Sequence, residues 1–124
     1  MKIADVMKKP TVITKDINLY DAAKIMTKNS IKTLIYVDDD KILGLITLYD
    51  LAKYFGQNLM VSSIMTKKVI TIRKIEKVQN AIDIMRENNI NVLPVIDSSG
   101  KLVGIVQSKD VLNEACENEE FLVD

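Results

Sequence analysis

The feature that most limits what this chain can fold into is that it is written twice. "SIKTLIYVDDDKILGLITLYDLA", residues 30 to 52, aligns with "NINVLPVIDSSGKLVGIVQSKDVL", residues 89 to 112, with one gap in the turn. The alignment superposes Ile31 on Ile90, Leu34 on Leu93, Asp38 on Asp97, Lys41 on Lys101, Gly44 on Gly104 and Asp50 on Asp110. Upstream, "DVMKKPTVIT" and "SIMTKKVIT" place Met7 with Met65 and Val12-Ile13-Thr14 with Val69-Ile70-Thr71. A period of about sixty residues makes half the chain the unit to be explained. The division is a first repeat over residues 1–58, a second over 59–116 and an acidic tail over 117–124.

Both copies predict the order strand, helix, strand, strand, helix. Val12-Ile13-Thr14 and the run from Val69 to Ile72 are β-branched and suit strands. Leu19, Ala22, Ala23 and Met26 recur at helical spacing, with Asn18 positioned to cap and Asp21 three residues on. Val78, Ala81, Ile82 and Met85 repeat the stripe. Two apolar runs then flank a polar turn, "LIYV" and "ILGLI" around 38–41, "LPVI" and "LVGIV" around 97–101, which predicts a hairpin in each copy. Second helices are expected near residues 48–55 and 108–117. The strands read as continuous apolar runs, so each sheet needs cover on both faces. The fold class is therefore α+β: two β-α-β-β-α repeats packed with pseudo-twofold symmetry through their sheets, leaving a cleft between repeats as the natural ligand site.

Composition removes several function classes. A chain of 124 residues buries about two-thirds of its unfolded surface, enough for a real core. Its 17 basic and 17 acidic residues cancel, and no basic stripe with interleaved aromatics is present, so nucleic acid is not an expected partner. Without histidine or tryptophan and with one cysteine, Cys116, it lacks the makings of His-based acid/base catalysis, a Cys/His metal site or an intrachain disulfide. No Gly-rich phosphate loop or Ser/His/Asp set assembles, so no catalytic residues, no required cofactor and no enzymatic activity are expected. The N-terminus "MKIADVMKKP" is too charged for a signal peptide, and no apolar run reaches the roughly twenty residues of a membrane span. A cytoplasmic location follows as the expectation, for a whole small protein or a segment of a larger one.

The doubled "GLITLYD" (44–50) and "GIVQSKD" (104–110), the "NVLPVID" run at 91–97 and the "IMTKKVIT" stretch at 64–71 resemble paired cystathionine β-synthase (CBS) domains, also called Bateman modules. The resemblance spans nearly the whole chain. It implies a regulatory sensor of adenosine-containing ligands, AMP, ADP, ATP or S-adenosylmethionine, that transmits binding as a conformational or oligomeric change. It also implies a homodimer formed through the helices and a regulated enzyme or transporter as possible partner. In the family, the motif's aspartate holds the ribose hydroxyls, its Thr or Ser contacts ribose or phosphate, and the first strand and the loop before the second strand hold the base. Carried over, one site uses Thr47 and Asp50 with Val69, Ile70, Thr71, Asn91 and Val92. The other uses Asp110 with Val12, Ile13, Thr14, Lys32 and Thr33. Gln107 replaces the family's hydroxyl residue, with Ser108 beside it as a substitute, while Lys32 offers a charge that Asn91 does not. The two sites are thus expected to be inequivalent.

The residue types suit that chemistry. An ionised carboxylate only accepts hydrogen bonds and can take both vicinal hydroxyls of a ribose. Each feature also has a plainer reading. Thr47 and Asp50 fit a capping box; Gly44 and Gly104 fit close backbone packing or a bulge; Met26 and Met85 fit the core; Lys32 fits a solvated side chain. "DDDK" (38–41) reads as a turn and "ENEE" (117–120) as a solvated end. The alternative function is accordingly a ligand-free structural or dimerisation module.

Overall fold

The architecture is taken from a computed structural model, which describes residues 1–112. The elements run α1 (Ile3–Val6), β1 (Val12–Ile13), α2 (Leu19–Lys28), β2 (Thr33–Asp38), β3 (Lys41–Thr47), α3 (Leu48–Lys53), α4 (Val61–Ile64), β4 (Ile72–Arg73), α5 (Val78–Asn88), β5 (Val92–Ile96) and β6 (Leu102–Gln107). Helical backbone resumes at residues 108–112. The rest of the helix expected there, Cys116 and the run 117–120 lie outside the described residues. The fold is mixed α+β, with one sheet ordered β1-β2-β3 and another β4-β5-β6.

Local sequence explains each element. The Asn18 side chain accepts the Asp21 N–H at 2.8 Å, supplying a cap at the start of α2. The buried stripe of α2 is Leu19, Ala22 and Met26, and that of α5 is Val78, Ala81 and Met85. Both helix methionines are core residues. Helix α5 stops at Asn89, which takes the left-handed conformation at φ 53° that asparagine tolerates. Strands β2 and β3 are joined through Asp39 and Asp40, both at positive φ (52° and 65°), the signature of a type I′ hairpin. In the second hairpin Asp97 organises the turn. Its carboxylate accepts from the Ser99 hydroxyl at 2.8 Å and from the Lys101 and Ser99 N–H groups at 3.0 and 2.9 Å. Those bonds, the Ser99 hydroxyl foremost, with the Lys74 charge nearby, hold its carboxyl below the ordinary 3.8 despite partial desolvation.

Two single-turn helices, α1 and α4, are not anticipated by the periodicity, and one alignment needs correcting. Ile13 pairs with Tyr36 in the parallel β1-β2 ladder, while Ile72 pairs with Val95, the counterpart of Tyr36. The residue equivalent to Ile13 is therefore Ile72, and Val12-Ile13-Thr14 superposes on Thr71-Ile72-Arg73, not on Val69-Ile70-Thr71. Burial sets this register: Ile13 and Ile72 are 7% and 1% exposed, whereas Ile70 is 38% exposed.

Spatially the chain forms two compact units that recombine its halves. One comprises Pro10–Val69; the other joins Met1–Lys9 to the chain from Ile70 onward. In the second unit α1 docks through bonds from the Ile3 N–H to the Glu76 carbonyl and from the Ala4 N–H to the Lys74 carbonyl (2.8 and 3.0 Å). Ile3 is fully buried there with Ile72, Ala81, Leu93, Val95, Val106 and Val111. In the first unit α4 does the same: the Val61 N–H bonds the Ile17 carbonyl at 2.8 Å, and Val61 joins Leu19, Ala22, Met26, Leu34 and Ile46 in the core. The start of α4 is capped by the Asp16 carboxylate, which takes both the N–H and the hydroxyl of Ser62.

Each docked segment closes over a strand glycine. A methyl group at Gly104 would lie 2.6 Å from Met7 Sδ, and one at Gly44 would lie 2.5 Å from Met65 Sδ and 2.9 Å from the Thr66 carbonyl oxygen. Both glycines also sit beside a register shift in their hairpin, between Tyr36 and Val37 and between Val95 and Ile96. The two readings of these glycines, bulge and close approach, hold together.

Candidate functional site

In the Pro10–Val69 unit the expected ligand residues gather at one end of the sheet. Thr33, buried at 8% exposure, opens β2 opposite Thr47, which closes β3. The chain turns directly from β3 into α3, and the Leu48 N–H bonds the Lys32 carbonyl at 3.1 Å. Val12 lies at the same end, because β1 runs parallel to β2 and the Ile35 N–H reaches the Thr11 carbonyl at 3.4 Å. Val12 and Thr14 are exposed around the buried Ile13. Lys32, Thr33, Thr47 and Asp50 are thus brought together within one unit. Val69 ends it.

Asp50 is engaged as a helix cap. Its Oδ2 accepts the Thr47 N–H at 2.9 Å and the Thr47 hydroxyl at 3.3 Å, while the Asp50 N–H reaches Thr47 Oγ1 at 3.4 Å. This reciprocal pair is the capping box legible in the sequence, and the group remains half-buried.

The unit containing residues from Ile70 onward repeats the frame with different chemistry. Val92 pairs with Gln107, and the Ser108 N–H bonds the Asn91 carbonyl at 2.8 Å, the counterpart of the bond between Leu48 and Lys32. Ile70 and Thr71 lead into β4. Glutamine at 107 has no hydroxyl to form the box, and no hydrogen bond joins Gln107 to Asp110 among the described residues. Asp110 instead accepts from the Lys8 ammonium through Oδ1 at 3.2 Å, and its Oδ2 is buried without a partner among the described residues. The carboxylate side chain is 17% exposed, the lysine side chain 61%.

Lys8 is a residue the sequence reading does not single out. It is far from Asp110 in the chain, and a lysine between Met7 and Lys9 carries no local signal of a partner. Its backbone is pinned by reciprocal bonds with Ile105, both 2.9 Å. Thr66 holds the equivalent place against Leu45, at 3.0 and 2.9 Å.

Other candidates carry less. An open hollow of about 580 Å³ along α2, lined by Ile17, Asp21, Lys24, Ile25, Thr27 and Lys28, includes none of the expected ligand residues. Among the described residues no group of three Cys, Asp or Glu could hold a metal ion, and no helix is long and apolar enough to cross a membrane.

A family model described as CBS domain matches residues 3–57 and again residues 61–117. The CBS domain pair of protein MJ0100, solved in complex with 5′-methylthioadenosine and S-adenosyl-L-methionine, is 34% identical, with a TM-score of 0.87 over 96% of this chain and 98% of that one. Among curated proteins, uncharacterized protein MJ1232 of Methanocaldococcus jannaschii is 35% identical over 114 residues, 90% of this chain and 38% of its own length. The L-aspartate semialdehyde sulfurtransferase of the same organism is 38% identical over 112 residues, 88% of this chain and 22% of its own length. The chain thus spans between 22% and 38% of these curated relatives.

Proposed function

Because the chain belongs to the CBS domain family, matched twice along its length, we propose that it is a regulatory module binding an adenosine-containing ligand. The observation that carries this reading is the Asp110 carboxylate. A buried acceptor without a donor costs about 1–3 kcal/mol, a cost that persists in a fold only where something offsets it. Vicinal ribose hydroxyls are donors of the right number and spacing for one carboxylate. The MJ0100 domain pair, similar over nearly the full length of both chains, holds two ligands that share an adenosine moiety.

The ligand set is that of the family pattern: Thr47 and Asp50 with Val69, Ile70, Thr71, Asn91 and Val92, and Asp110 with Ser108, Val12, Ile13, Thr14, Lys32 and Thr33. The corrected strand alignment adds Ile72 to the first set, at the place of Ile13. Binding acts on a partner only through different affinities for two arrangements. A homodimer associating through the helices, or a larger polypeptide of the length of the curated relatives, supplies those arrangements.

Isothermal titration calorimetry with adenosine, AMP, ADP, ATP and S-adenosylmethionine tests the reading. At least one ligand is expected to bind, to raise the melting temperature, and to bind more weakly to Asp110→Ala. At a hundredfold excess over its Kd it adds about 2.7 kcal/mol of stability. Absence of heat and of any melting shift with all five ligands would refute it. The second reading, a ligand-free dimerisation module, is favoured at one end by the Asp50 capping box, which already engages Oδ2 of that carboxylate. It predicts that Asp50→Ala lowers stability and leaves all nucleotide titrations flat.

A further inference from the structure

Resting on the adenosine-ligand reading of Asp110, we propose that Lys8 sets the charge class of the ligand taken there, selecting a phosphorylated nucleoside over a neutral nucleoside or a sulfonium cation. The two units supply an internal comparison. Lys8 and Thr66 occupy equivalent positions, each fixed by a reciprocal pair of main-chain bonds to the central part of its hairpin, so the side chain is what differs. Where threonine stands, the equivalent aspartate has its Oδ2 engaged in its own helix cap. Where lysine stands, the aspartate has no cap partner, one oxygen meets the ammonium at 3.2 Å and the other is buried and unpaired.

A ribose donating to the unpaired Oδ2 carries its 5′ substituent within about a Debye length, roughly 8–10 Å, of the carboxylate. An uncompensated carboxylate would repel a phosphate at that distance and attract a sulfonium. Lys8 reverses this preference: its charge cancels that of Asp110, and its contact with Oδ1 uses one of three ammonium donors. The remaining donors belong to a side chain that is 61% exposed, open to an incoming phosphate. Gly104, Met7 and the main-chain bonds to Ile105 hold the lysine backbone while the head group moves. Lys32 then need not be the phosphate contact.

The test compares AMP, adenosine and S-adenosylmethionine by titration calorimetry on the full chain in an Asp50→Ala background, with Lys8 intact, Lys8→Met and Lys8→Arg, and with a thermal melt of each variant. Lys8→Met is expected to weaken AMP about tenfold, to change adenosine less than twofold and to strengthen S-adenosylmethionine, while Lys8→Arg retains AMP binding. Equal losses for AMP and adenosine would make Lys8 a mere support for Asp110 and overturn the proposal, as would no change for either. Loss of all binding on Asp50→Ala alone overturns it too, since the ligand would then sit at the Asp50 end. If the unsubstituted chain binds neither these three nor ADP or ATP, the underlying reading fails first and this one with it; binding of ADP or ATP without AMP overturns this proposal alone.

Discussion

A methyl group added at Gly104 has nowhere to go unless Met7 moves. The new carbon would stand 2.6 Å from Met7 Sδ, 2.9 Å from Cγ and 3.1 Å from Cβ. The sulfur can swing aside, but Met7 Cβ is held by the backbone: the Met7 N–H bonds the Ile3 carbonyl and the Lys8 N–H the Ile105 carbonyl, both at 2.9 Å. Overpacking of this kind costs about 1–3 kcal/mol. In a chain of this size each kcal/mol shifts the melting temperature by about 4 °C. Gly104→Ala is therefore expected to lower it by roughly 4–12 °C. With no tryptophan in the sequence, unfolding in urea is best followed by far-ultraviolet circular dichroism. The decisive measurement is the double variant Gly104→Ala with Met7→Ala, in which the obstacle is removed. Its total cost should fall short of the sum of the single costs by at least about 1 kcal/mol. Gly44→Ala should cost at least as much as Gly104→Ala, because the Thr66 carbonyl in its path is backbone. A Gly104→Ala effect below about 0.5 kcal/mol, or strictly additive costs, would refute the argument that the methionines close over these glycines.

Thr47→Ala removes the capping side chain of α3 and should cost about 1 kcal/mol in urea midpoint analysis, whereas Gln107→Ala, with no cap bond to lose, should be near neutral. Asp40→Gly relieves a non-glycine residue at φ 65° in the type I′ turn and should stabilise the fold by about 1 kcal/mol, read as a raised denaturation midpoint. The lowered carboxyl of Asp97 makes a definite prediction of sign. Its contribution is fully present above the ordinary value of 3.8 and is lost as pH falls through the lower folded value. Asp97→Asn should flatten the acid limb of the stability profile measured by urea midpoint between pH 7 and pH 2.

How much was legible follows from which interactions are local. Helices α2 and α5 could be read because their buried stripes recur at helical spacing, and the Asn18 cap because it acts on a residue three positions away. The hairpins were legible from their turn chemistry. The single turns α1 and α4 were not, since four residues are too few to show a period. The β4 register was misassigned because Val69, Ile70 and Ile72 are equally β-branched, and burial in the assembled sheet chooses between them. At the candidate site the motif pointed to Thr47, Asp50 and Asp110, and Gln107 to their inequivalence, but not to the ion pair that Asp110 makes. That pair depends on Lys8, brought to Asp110 by tertiary structure across 102 positions. The recombination of chain segments was equally hidden, although the complementary pairs Met7 with Gly104 and Met65 with Gly44 are its trace.

Because Met1–Lys9 belongs to the unit built from Ile70 onward, synthesis and assembly run out of step. A ribosome releases every residue of the Pro10–Val69 unit before the sheet that receives the leader exists. At about 5–20 residues per second the leader, carrying Ile3, Val6 and Met7, waits several seconds with its apolar side chains unsheltered. Residues Met1–Lys9 are thus made before the Pro10–Val69 unit and seated after it. Their arrival brings Lys8 to Asp110, so the charged pair forms only once the unit from Ile70 onward has assembled.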